Sequence, residues 1–225
     1  STLRPQKVWG YADGKLRFDF DFRLGKRRWI RFFSLLLSKK QTILMKPIFL
    51  IGYMGCGKST LGRALGRMTG MEFIDLDHYI ENRFHKTIRE IFADEGEARF
   101  RDIERRMLQE VSQFEDVIVA CGGGTPCFGQ NMELMNEAGT TVLLDTSMAK
   151  LLTRLKRGRH KRPLIAGMDD ATLEAFVATN LEQRAPHYNR AAHRFRSDLL
   201  ENEVEIDDTA RRFISLFNLQ PTPRP

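Results

Sequence analysis

Residues 52–59 read Gly-Tyr-Met-Gly-Cys-Gly-Lys-Ser, a complete match to the phosphate-binding pattern G-x-x-x-x-G-K-[ST]. Polyphosphate is densely charged, and a ring of backbone N–H groups at a helix N-terminus is a neutral counterpart to it. Gly52, Gly55 and Gly57 permit the positive φ angles and close approach that such a ring demands. Lys58 adds a cation for the β- and γ-phosphates, and the Ser59 hydroxyl is placed to ligate Mg²⁺. The match lies between an apolar strand, 48–51, and an amphipathic helix, 58–68. A chance glycine-rich turn would lack that context. The motif specifies a nucleotide phosphate site, with Gly55, Cys56, Gly57, Lys58, Ser59 and Thr60 around ATP, and leaves the second substrate open.

After the loop the pattern alternates strand and helix, which predicts a parallel sheet covered on both faces. Strands are expected at 72–76, 117–120 and 141–144, with a weak one near 194–197. Helices are expected at 97–112, 148–155, about 170–185 and about 203–217, and a capping box at Thr87 and Glu90 opens a further helix through Phe92. Within 97–112, Phe100, Ile103, Met107 and Val111 form one apolar stripe. Asp75 and Asp77 fall at the end of the second strand, the edge of an open parallel sheet where ligands bind. Their alternating directions let them serve different ligands.

Charge is unevenly spread. Residues 1–44 hold eleven Lys/Arg against three Asp, so a net +7 for the 225-residue chain leaves the other 181 residues at −1. The basicity that would point to a nucleic acid or a membrane surface therefore belongs to the arm. Residues 17–22 alternate weakly, and the arm otherwise has no sustained period. It is read as an extension outside the native protein, with Met45 the biological start; the alternative is a basic tether for acidic partners. The apolar stretch at 29–37 is too short to span a bilayer, and Lys39 and Lys40 follow it where a signal peptide needs small residues. Cys56, Cys121 and Cys127 form no CxxC pair, which argues against a disulfide framework or zinc site and for a reduced, cytoplasmic setting. The five histidines show no ligand spacing. Cys56 has two readings, a packing residue or a thiol activated by the helix N-terminus and Lys58.

Six motifs occur in order. They are Gly-x-x-Gly-x-Gly-Lys-Ser-Thr-x-Gly-Arg at 52–63, Asp-x-Asp at 75–77, Glu-x-x-Phe-Arg-x-x-Glu at 97–104, Gly-Gly-Gly at 122–124, Arg-Pro-Leu at 162–164 and Arg-x-Pro-x-Tyr at 184–188. Each after the first is weak alone, but the ordered set resembles the shikimate kinase family over about 46–217. The resemblance implies a three-layer α/β/α P-loop kinase fold with a short central parallel sheet, spanning 45–220, with a lid at about 154–168 and a tail at 221–225. It implies ATP and shikimate as the ligands, Mg²⁺ as the metal, a monomer, and neither nucleic acid nor membrane as partner. By the same resemblance Asp77 contacts the shikimate hydroxyls and is the candidate base. Arg101 and Arg184 hold the carboxylate, and Gly122, Gly123 and Gly124 approach the ring, Gly124 most closely. Arg162 reaches the phosphates from the lid, Asp75 acts with Ser59 on the metal, and Glu104 braces a substrate arginine. Catalysis then falls to Asp77, Lys58 and Arg162.

The residues taken alone are less decisive. Arg101 reads equally as an exposed partner of Glu97, and Arg184 as a solvated arginine where Pro186 interrupts a helix. The six basic residues of 154–162 lack interleaved aromatics, which favours a phosphate-covering lid hinged near Gly167 over a nucleic-acid patch. Roles for Arg154, Arg157 and Arg159 stay open. Competing readings are another small-metabolite kinase such as a gluconate kinase, a nucleotide kinase, a nucleic-acid binder using the arm, and a silent nucleotide binder.

Overall fold

The computed structural model describes residues 45–219 and the backbone of 10–12 and 15–17. Contacts divide the chain into Ser1–Ile43 and Leu44–Pro225. In the first unit Gly10–Ala12 and Lys15–Arg17 pair antiparallel. The alternation expected beyond residue 17, the apolar stretch at 29–37 and the tail at 221–225 lie outside the described residues.

The second unit is a three-layer α/β/α domain. Its strands are β1 (Ile48–Ile51), β2 (Glu72–Asp75), β3 (Val117–Ala120), β4 (Thr140–Asp145) and β5 (His193–Arg196). They form one five-stranded sheet in the order β2-β3-β1-β4-β5, every pair parallel. β1 and β3 are buried along their whole length, as four-residue apolar runs inside a doubly covered sheet must be. Among the described residues no helix is long and apolar enough to cross a membrane.

The helices are α1 (Lys58–Thr69), α2 (Leu76–Phe84), α3 (Ile88–Val111), α4 (Asn131–Ala138), α5 (Met148–Arg157), α6 (Asp170–Tyr188) and α7 (Glu203–Leu216). The capping box at Thr87 and Glu90 is present. The two helices expected around 87–112 are one element, broken only at Gly96, where φ is 77°. α2 and α4 had no clear sequence signal: α2 buries only Leu76 and Ile80, too few to write a stripe. α6 continues through Pro186 to Tyr188 instead of stopping at 185. In the last turn the proline removes a single backbone hydrogen bond, which the packed helix tolerates.

The topology positions the site. The loops leaving β1, β2 and β3 are the P-loop, the acidic pair and the triple glycine, and the sheet order puts those three strands side by side with β3 in the middle. Their carboxyl ends share one crevice.

Candidate active site

The P-loop has the backbone its glycines were expected to permit. φ is +139° at Gly52, +83° at Gly55 and +101° at Gly57. A side chain at Gly57 is excluded twice over, because a Cβ there would lie 2.3 Å from Leu200 Cδ1. The Lys58 ammonium curls back along the loop and donates to the carbonyls of Gly52 at 2.8 Å and Tyr53 at 3.1 Å. Ser59 Oγ donates to Asp75 Oδ2 at 2.7 Å. These two hard oxygen donors flank the phosphate cradle, and a small divalent cation that keeps most of its waters fits such a pair.

Gly55, Gly57, Lys58, Ser59 and Thr60 line a cleft of about 450 Å³ together with Arg154, Arg162 and Glu201. Cys56 does not line it. Its side chain is 1% exposed, its N–H donates to Tyr53, and its carbonyl accepts from Thr146 and Ser197. Of the expected nucleotide residues, Cys56 shapes the loop from behind. The burial of the thiol favours the packing reading over the reactive one.

The acidic pair corrects an expectation. Asp75 ends β2, but Asp77 belongs to the first turn of α2. The two carboxylates are separated by the strand-to-helix turn, not by alternation along a strand. Burial, then the charges of Asp75 and Glu104, push the Asp77 carboxyl up to about 6, against a smaller opposing effect of Lys58.

Asp77, Arg101 and Arg184 meet at the triple glycine. A Cβ on Gly122 would stand 3.1 Å from Asp77 Oδ1. One on Gly123 would stand 3.3 Å from Arg184 Nη1 and 3.6 Å from the Gly52 carbonyl, and one on Gly124 would stand 3.1 Å from Arg101 Nη2. None of these three glycines has a positive φ. Close approach favours them, since a side chain would crowd the space into which a carboxylate and two guanidinium groups point.

Arg101 does pair with Glu97, at 3.2 Å, but it is only 21% exposed and also donates to Glu104 Oε2 at 2.8 Å. Its guanidinium lies 3.6 Å from the centre of the Phe128 ring. Glu104 is 1% exposed and accepts a second hydrogen bond, from Thr125 Oγ1 at 2.6 Å. Arg184 packs over Tyr53, 5.3 Å from its ring centre. Neither arginine is the solvated side chain that its local sequence alone would allow.

In the expected lid the basic run is largely neutralised. Arg154 and Arg157 both pair with Glu201, at 2.7 and 3.1 Å. Arg154 also donates to the carbonyls of Gly55, Ser197 and Asp198. Lys156 and Arg159 pair with Asp170. Arg162 donates to the Gly158 carbonyl at 3.1 Å and lines the cleft. Sequence reasoning missed Leu200, Glu201, Thr125 and Phe128. The first two lie on the connection from β5 to α7, which has no phosphate or acid motif to single it out.

A phosphate cradle beside a cluster of one carboxylate and two guanidinium groups, at the carboxyl edge of a parallel sheet, fits a P-loop kinase of small molecules. The family model described as shikimate kinase matches residues 54–215. A shikimate kinase of Phocaeicola vulgatus is 51% identical over 162 residues, 72% of this chain and 93% of its own length. One from Parabacteroides distasonis is 46% identical over 173 residues, 77% of this chain and all of its own. The crystal structure of the Bacteroides thetaiotaomicron shikimate kinase superposes with a TM-score of 0.75 at 47% identity, covering 78% of this chain and 99% of that one. The Acinetobacter baumannii enzyme in complex with shikimate gives 0.66 at 32% identity, over 77% and 93% of the two chains. This chain belongs to the shikimate kinase family.

Proposed function

We propose that the chain transfers the γ-phosphoryl group of ATP to the 3-hydroxyl of shikimate, releasing ADP and 3-phosphoshikimate in the route to chorismate and the aromatic amino acids. The observation that carries this reading is the meeting of Asp77, Arg101 and Arg184 around three side-chain-free residues beside the P-loop. One carboxylate and two guanidinium groups suit an acceptor that is both an organic acid and an alcohol.

Arg101 and Arg184 clamp the acceptor's carboxylate, which planar forks do with paired hydrogen bonds. With the acid end fixed, the hydroxyl is aimed at Asp77. A carboxylate with a pKa of about 6 is ionised at neutral pH yet basic enough to take the hydroxyl proton as the new O–P bond forms. Lys58 and Arg162 stabilise charge on the migrating phosphoryl from two directions. Ser59 and Asp75 are the residues that would hold Mg²⁺, whose chemistry when bound is to neutralise the β- and γ-phosphate oxygens.

A coupled ADP-release assay with shikimate, gluconate and nucleoside monophosphates tests the reading, on the full chain and on a version beginning at Met45. Shikimate-dependent turnover in both is expected. Comparable turnover with gluconate, itself a hydroxy acid, would remove the assignment to shikimate, and comparable turnover with a nucleoside monophosphate would remove the acid-and-alcohol argument.

A further inference from the structure

The Arg-x-Pro-x-Tyr motif ends in a residue that has no part in the reaction described above. Tyr188 is 4% exposed and lies four residues after Arg184 on α6, so the two side chains project from the same face. Its hydroxyl donates to the Gly123 carbonyl at 2.6 Å. The Arg184 guanidinium lies beside that hydroxyl, and burial pushes the phenol up against the opposing effect of the arginine, so the group stays a neutral donor at every working pH. A phenol has one proton to give. With that proton committed to Gly123, its lone pairs are left to accept from the cationic Arg184. The Arg184 guanidinium packs over the Tyr53 ring, with Nη1 3.3 Å from the point where a Cβ on Gly123 would stand.

We infer that Tyr188 is a positioning residue for recognition of the acceptor's carboxylate: its hydroxyl fastens the Gly123 backbone and the Arg184 guanidinium into a single geometry. The inference rests on the reading of Arg184 as a carboxylate ligand. Its consequence is selective. Losing the hydroxyl weakens the grip on a charged acid and leaves an uncharged analogue, the nucleotide and the phosphoryl step alone.

The test is kcat/KM for shikimate and for its carboxamide, measured on one preparation of full-length Tyr188→Phe. Phe retains the ring that packs in the core, and the ratio of the two values does not depend on the active fraction. The shikimate-to-carboxamide ratio should fall about tenfold, as expected for one lost hydrogen bond to a charged group. The fall should come through KM for shikimate, with KM for ATP within about twofold. A ratio equal to that of the parent overturns the inference. Arg184→Ala separates the two possible failures. An unchanged ratio there removes the carboxylate role of Arg184 and the inference with it, whereas a fall there but not in Tyr188→Phe removes the inference alone. Should Tyr188→Phe give no folded protein, Tyr188→Met, which fills apolar space without a hydroxyl, is held to the same selective fall.

Discussion

The proposed acceptor site and the expected lid segment are both rich in arginine, yet they hold their arginines differently. In the proposed acceptor site, Arg101 rests on a Glu104 that is itself buried and bonded to Thr125, and Arg184 packs over Tyr53 beside Tyr188. Each guanidinium is set by a side chain of its own motif and by a ring from a distant segment, Phe128 for Arg101 and Tyr53 for Arg184. In the lid, Arg162 donates to a backbone carbonyl four residues away, and its neighbour Leu164 is 69% exposed. The difference teaches where orientation is fixed in advance. On the proposed reading, recognition of the acid is built into the core, whereas Arg162, the proposed phosphate contact, is held among the described residues by its own short segment.

Four measurements break or sharpen that contrast. The largest effect is expected at the base: Asp77→Asn should lower kcat in the ADP-release assay by about 10³-fold, within the range for loss of a general base. A kcat near the parent's would remove Asp77 from proton transfer. Next, Arg162→Ala should lower kcat by about 100-fold, the scale for one donor to a transition-state charge. KM for shikimate should stay within about twofold, and a change confined to KM would place Arg162 with the acceptor.

Stability separates the two sides further. Glu104→Ala strips Arg101 and the Thr125 hydroxyl of a buried partner and should destabilise the fold by about 2 kcal/mol in urea unfolding. Arg162→Ala should change it by less than about 0.5 kcal/mol. Equal losses would erase the distinction between a built-in and an adjustable arginine.

The smallest effect is in pH. Asp77 must be ionised to act, so kcat/KM for shikimate should rise with pH through about 6 and level off above it. Stability has the opposite sign. The folded-state pKa lies above the ordinary value of 3.8, so the group's favourable contribution is present below 3.8 and is lost as pH climbs to about 6. An acid limb centred near 4 would show that burial does not tune this carboxyl.

Much of the fold was legible before the structure, and the reasons are local. Buried parallel strands announce themselves as short apolar runs, and β1 and β3 fell where those runs did. α2 escaped because two buried residues make no period, and α6 outran its proline because the last turn has little hydrogen bonding left to lose. The same divide runs through the site. Lys58 and Ser59 were readable from spacing alone. Arg101 and Arg184 were ordinary helical arginines until the family resemblance singled them out. Glu201, which pairs with two lid arginines, had no motif at all.

By itself the sequence determined the phosphate cradle, because positive φ at three glycines and a lysine at a helix start are properties of eight consecutive residues. It also determined the layered parallel class, through strand and helix periods that each span a few turns. Only the tertiary structure decided that Asp77, Arg101 and Arg184 share one pocket, that Asp77 rides on a helix, and that the lid's basic run is mostly paired. Those facts depend on the order β2-β3-β1 and on side chains from distant segments meeting at the triple glycine. Contacts across such separations are fixed by packing of the whole domain, and no local period records them.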